Sequence, residues 1–141
     1  DILPYFHRFE FSLYADNSNL HNQIVWTKEA WSIFHKNLLF LEKNNLRNKV
    51  FFQTIPLKEN IANLPGIIGY FVNTLKTENP IKIIYPIFFP KATIKSSLIS
   101  RETILISLIK GVSKTHLKKF CMLQNFPSRE AYKQLFHSIH Y

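Results

Sequence analysis

The sequence predicts an α/β fold, and three observations carry that prediction. Runs of β-forming residues at 9–15, 49–57 and 81–88 alternate with segments whose apolar residues recur at helical spacing. Polar or proline-containing corners, among them Asn44-Asn45 and Asn79-Pro80, separate the runs. The 141 residues, 46% hydrophobic and 15% aromatic, are enough for one buried core and too few for two domains.

Residues 9–15 read FEFSLYA and set Phe9, Phe11, Leu13 and Ala15 against Glu10, Ser12 and Tyr14, the period of a half-buried strand. Asp16-Asn17-Ser18-Asn19 ends that strand as a polar turn. Thr27 then caps a helix whose apolar positions Trp31, Phe34, Leu38 and Leu41 fall at three- and four-residue steps, with Lys28, Lys36 and Lys43 outward and a stop at Asn44-Asn45. Residues 49–57 concentrate β-formers (Val50, Phe51, Phe52, Thr54, Ile55) and predict a mostly buried strand. After the polar loop 58–63, Pro65 fits the first turn of a second helix, which places Ile68, Phe71, Val72 and Leu75 on one face. Asn79-Pro80 closes that helix, because a proline disfavours helical geometry in the residue before it.

Residues 81–88 are nearly all apolar apart from Lys82, which predicts a central strand covered on both faces. Two further strand-like runs, 92–99 and 103–109, flank Ser100-Arg101-Glu102, and an antiparallel hairpin is the economical connection. The Phe89-Pro90 bond at its start is a candidate cis peptide, since an aromatic residue before proline favours that isomer. Gly111 and Ser113 mark a turn and a helix cap, after which Leu117, Phe120 and Cys121 share an apolar face and Lys114, Lys118 and Lys119 lie away from it. Beyond Pro127-Ser128 a last short helix carries Tyr132, Leu135, Phe136 and Ile139 on one face. The predicted architecture is β-α-β, a β-hairpin and a helix, forming a mixed sheet with helices on both faces. Residues 1–48 form an N-terminal extension with a strand and an amphipathic helix, 49–126 the core, and 127–141 a C-terminal helical tail. The rival βαββαβ layout needs a strand after the last core helix.

Eighteen Lys and Arg against nine Asp and Glu give a net charge of +9. Residues 1–48 hold five of each sign, so the excess belongs entirely to 49–141. A one-sided basic surface points to a polyanionic partner, because neutralising phosphates releases condensed counterions and makes binding salt-sensitive. The aromatics Phe51, Phe52, Tyr70, Phe71, Tyr85, Phe88 and Phe89 follow strand and helix periods, which assigns them to the core and leaves contact with backbone phosphates as the expected mode.

Other chemistry finds little footing. Three glycines, Gly66, Gly69 and Gly111, build no phosphate-cradling loop, and Cys121, the single cysteine, builds no disulfide, CxxC pair or multi-cysteine zinc site. Placed on an apolar helix face, Cys121 reads as a small hydrophobe. His7, His21, His35 and His116 are scattered, and His137 and His140, at i and i+3, are two ligands where a metal site needs more. The glutamates Glu42, Glu59, Glu78, Glu102 and Glu130 form no dyad legible in sequence. No stretch approaches the roughly 20 apolar residues that span a bilayer. The reading is therefore a protein without enzymatic activity, metal or cofactor.

The stretch GIIGYFVNTLKTENPIKIIYPIFFPKATIKSSLISRETILISLIKGVSKTHLKKF, residues 66–120, resembles the thioredoxin-like module shared by mitochondrial ribosomal proteins and an accessory subunit of NADH dehydrogenase. The pattern is a helix ending at Asn79-Pro80, a strand, a proline (Pro90) before a second strand, a polar hairpin and a helix. Residues 34–55, FHKNLLFLEKNNLRNKVFFQTI, look most like the mitochondrial small-subunit ribosomal protein twenty-five family, and the resemblance covers 34–123. It implies a catalytically silent thioredoxin-like fold in the mitochondrial matrix, built into the small ribosomal subunit and touching ribosomal RNA and neighbouring ribosomal proteins, without homo-oligomers. The cysteines by which some relatives share an iron–sulfur cluster are missing from the tail, so no cluster is carried over. Ser100-Arg101-Glu102 stands where relatives have a glycine at the hairpin turn. The residues expected to contact RNA or a partner are Lys91, Lys95, Arg101, Lys110, Lys114, Lys118, Lys119, Arg129 and Lys133. The alternatives are the accessory subunit of respiratory NADH dehydrogenase and a degenerate thioredoxin-like enzyme using Cys121.

Overall fold

Among the described residues four short parallel strands form a sheet, in the spatial order β1-β2-β3-β4 that they have along the chain. This architecture comes from a computed structural model that describes residues 5–85 and 99–124. β1 is Phe9–Ser12, β2 Val50–Thr54, β3 Ile81–Ile84 and β4 Cys121–Gln124. Sequential growth toward one edge, with the right-handed crossovers that parallel strands adopt, places the connecting helices on one face. The burial pattern agrees. Phe9, Phe11 and Leu13, then Val50, Phe52 and Thr54, then Ile81 and Ile83 face the helices, while Glu10, Phe51, Lys82 and Met122 alternate onto the other side.

The first crossover contains two helices, α1 (Ser18–Val25) and α2 (Ala30–Lys43). Asn17 caps α1, its side-chain oxygen accepting the Leu20 N–H at 3.0 Å, so the polar run predicted as a turn is a helix start. α1 ends at Trp26 in the left-handed region (φ 57°). α2 starts at Ala30 with no side-chain cap, and the Thr27 hydroxyl instead donates to the Val25 carbonyl. Phe34, Leu38 and Leu41 of α2 are buried, and Phe34 meets Phe11 edge-on at 5.5 Å and Phe52 at 6.2 Å.

The second crossover contains α3 (Leu64–Gly69), with Pro65 in its first turn, continued by a wider π-helical turn at Tyr70–Thr74. Phe71 in that turn stacks on Phe52 at 4.8 Å. The helix ends before the Asn-Pro corner, at Lys76 in the left-handed region (φ 48°). Asn79 has a different task, its side-chain amide donating to the carbonyls of Asn48 and Val50 at 2.8 Å each and tying the entry of β3 to the start of β2.

The third crossover corrects the sequence reading most. Residues 103–109, expected as a strand of a hairpin, lie inside α4 (Arg101–Gly111). Ser100 caps it, accepting the Thr103 N–H at 3.2 Å, and Ile104, Leu105 and Leu108 fill the core. Burial at i, i+1 and i+4 outweighs the β-propensity of the branched residues. α5 (Lys114–Phe120) follows, capped as expected by Ser113, which accepts from His116 N–H at 3.2 Å. Cys121, expected on the helix, opens β4, opposite Ile81. That strand supplies what the βαββαβ rival required after its helix, and every pairing among the described residues is parallel; the antiparallel strand of the expected mixed sheet is not among them. The helices on both faces reduce, among the described residues, to helices on one. Pro90, the run 92–99 up to residue 98, and the predicted tail helix with Tyr132, Leu135, Phe136 and Ile139 lie outside the described residues.

Candidate functional site

Lys110 sits in the last turn of α4 and Lys114 at the first position of α5, both exposed, so the Gly111–Ser113 turn gathers two of the predicted contact residues at one corner. A close approach holds that corner in place, because a Cβ on Gly111 would lie 2.2 Å from the Pro65 ring, a position only glycine tolerates against the start of α3. Lys119 is exposed further along α5. Arg101 and Lys118 fall within α4 and α5 by their backbones. Lys91, Lys95, Arg129 and Lys133 lie outside the described residues.

The sheet face away from the helices carries charge that sequence reading left out. Lys82 Nζ lies 2.6 Å from Glu10 Oε1, and Arg8 bonds the same carboxylate. The Lys82 hydrogen bond, with the charges of Lys82 and Arg8, holds the Glu10 carboxyl below the usual carboxylate range. Arg8 also lies over the Phe51 ring at 4.6 Å, and Gln53 donates to Ser12 Oγ at 2.9 Å. These cations are already engaged within the molecule, which separates this face from the corner at Lys110 and Lys114.

At the carboxyl ends of β1 and β2 the structure assembles groups that the sequence showed only as isolated residues. Asp16 and Asn63 bond twice, Asp16 N–H to Asn63 Oδ1 at 3.1 Å and Asn63 Nδ2 to Asp16 Oδ1 at 2.8 Å. Asn60 donates to the carbonyls of Tyr14 and Ile55 and accepts from Leu57 N–H. His21 is buried beside Tyr14 and Trp31, and its Nδ1 accepts the Tyr14 N–H at 3.2 Å. His35 contacts the Trp31 carbonyl through Nδ1 and the Tyr70 hydroxyl through Nε2, both at 2.8 Å. A carbonyl only accepts, so His35 Nδ1 carries a proton. Burial, then the nearby His35, lowers the His21 pKa; burial, then Asp16, raises that of Tyr70. The sequence signal was faint: a histidine one helical step from apolar Ile24 and Val25, with no partner in view.

Every polar atom named in this end cluster is spent on holding loops and helices together. Cys121 is likewise held in the fold, where burial pushes its thiol up to about 12 and leaves almost no thiolate at neutral pH. Among the described residues no three His, Cys, Asp or Glu side chains gather as a metal site, and no helix is long and apolar enough to cross a membrane. No family model, curated protein or solved structure matches the chain.

Proposed function

We propose that this protein is a non-catalytic structural component of a ribonucleoprotein, the small subunit of the mitochondrial ribosome, which contacts ribosomal RNA phosphates through the basic surface of its C-terminal half. The observation that carries the reading is the confinement of the whole +9 to residues 49–141. The exposed corner of Lys110 and Lys114 supports it, since two cations there flank a turn that Gly111 and Pro65 hold in place. A fixed cationic corner meets a phosphate backbone with little ordering cost.

The thioredoxin-like form of the fold belongs to the same proposal. It requires an antiparallel strand, which would come from residues beyond those described here, and an experimental structure of the full chain tests it.

The function is tested by sedimenting a mitochondrial lysate and following the chain by mass spectrometry before and after a high-salt wash. Comigration with the small ribosomal subunit is the expected result; comigration with a respiratory complex, or a free low-mass pool, overturns the reading. The double variant Lys110→Glu, Lys114→Glu reverses both charges of the corner. It should incorporate normally at low salt and be released at a lower salt concentration than the wild type, because each lost phosphate contact lowers the salt slope by about one.

A further inference from the structure

The large apolar side chains left on the surface are unevenly placed. Among the described residues eight large apolar side chains are exposed, and six of them, Tyr5, Phe6, Trp26, Ile33, Leu39 and Phe40, lie in residues 1–48, where acids and bases balance; Ile106 and Met122 are the other two. Three of the six belong to the outer side of α2, where Ile33 is 47% exposed, Leu39 50% and Phe40 52%. α2 already buries Phe34, Leu38 and Leu41 against the sheet, so these three form a second apolar surface on the same helix.

At 3.6 residues per turn, Lys36 and Lys43 fall on one line along the middle of that outer side, which the exposed acid Glu29 begins at the N-cap, before the first helical residue. Ile33 and Phe40 share a line on one flank, and Leu39 lies on the other. Glu42, the acid at the rim, is paired with Arg47 at 3.4 Å. The strip is therefore apolar at both margins and cationic at its centre.

We propose that the outer strip of α2 docks an acidic amphipathic helix of a neighbouring protein. An antiparallel or parallel helix with Asp or Glu along its midline matches Lys36 and Lys43, while apolar residues on either side cover Ile33, Phe40 and Leu39. The pattern fits other partners less well. A lipid surface takes the apolar centre of a helix and leaves cations at the boundary, the reverse of this order. Nucleic acid phosphates would use the two lysines and leave the three apolar side chains in water. The inference rests on the reading of the chain as an assembly component, and adds that its two halves face different neighbours, a protein at α2 and RNA at the basic half.

The test uses the full chain in its native particle, with Asn37, exposed beside Ile33 and Phe40 on the helix, replaced by the photocrosslinker benzoylphenylalanine. The crosslinked peptide is sequenced. A crosslink into an acidic amphipathic helix of another protein is expected. A crosslink to RNA, to lipid, to a second copy of this chain or to a segment without acids overturns the proposal, and so does no crosslink at all. Phe40→Asp and the pair Lys36→Glu, Lys43→Glu change only exposed residues, and each should weaken the crosslink at least about tenfold in a chain with unchanged circular dichroism. Crosslinking that survives both variants also overturns it. If the expected crosslink forms in a particle that lacks small-subunit RNA, the ribosomal reading fails while the α2 contact stands.

Discussion

His21 shows how a single residue couples local geometry to solution conditions. Its Nδ1 accepts a backbone N–H, so that nitrogen holds no proton, and the ring is 3% exposed between Tyr14 and Trp31. Its folded-state pKa lies below the ordinary 6.5. Below about pH 6.5 the unfolded chain binds a proton that the folded chain refuses, so stability falls as pH drops through the unfolded value and levels off below the folded one. Urea denaturation at pH 7.5 and pH 5 should show that loss, and His21→Leu should flatten it. The same variant leaves the Tyr14 N–H without its acceptor, at a cost of about 1–3 kcal/mol at neutral pH. None of this was legible in the sequence, because His21 acquires its role from Tyr14, seven residues back across a turn, and from Trp31 on the next helix. Phe34, Leu38 and Leu41 were legible, since their burial follows from helical period alone.

At the level of elements, the sequence yielded those whose pattern is self-contained. α2, β2 and the Ser113 cap follow from spacing, branched residues and a hydroxyl before a periodic run. α4 did not, because Thr103, Ile104, Ile106 and Ile109 favour strands and the run has no clean apolar stripe. Its helical state is decided by packing on α3 and by Ser100. Ser100→Ala should therefore cost about 1 kcal/mol of stability, read as a lower urea midpoint with an unchanged slope. A strand in the same place would have no use for that cap, and its stability would be indifferent to the change. The α1 start at Asn17 was missed for the opposite reason: Asp, Asn and Ser serve turns and helix caps alike, and only the Leu20 N–H on Asn17 separates the two.

Across the whole molecule, the third crossover closes on the second where Gly111 meets Pro65. Gly111→Ala would drive a methyl into a rigid ring 2.2 Å away, and the helices must separate or α4 must end early. A loss of about 1–3 kcal/mol is expected, measured by thermal or urea unfolding, together with faster amide exchange in α4 and α5 than in β2. The basic corner shares that joint, so the variant should also release the chain from its particle at lower salt. The class of the fold was legible in the alternation of runs, whereas the strand order depended on one misread segment, since turning residues 103–109 from strand to helix removes the hairpin that implied an antiparallel pair. Spatial order that repeats chain order has a consequence for how the molecule is made. β1 and β2, with Phe34 already seated between them, can close before β3 leaves the ribosome that synthesises it, and β3 before β4. Among the four described strands each new one adds to an edge and none has to be threaded between two that are already paired, so the nascent chain can build this part of its sheet from the N-terminus without undoing an earlier step.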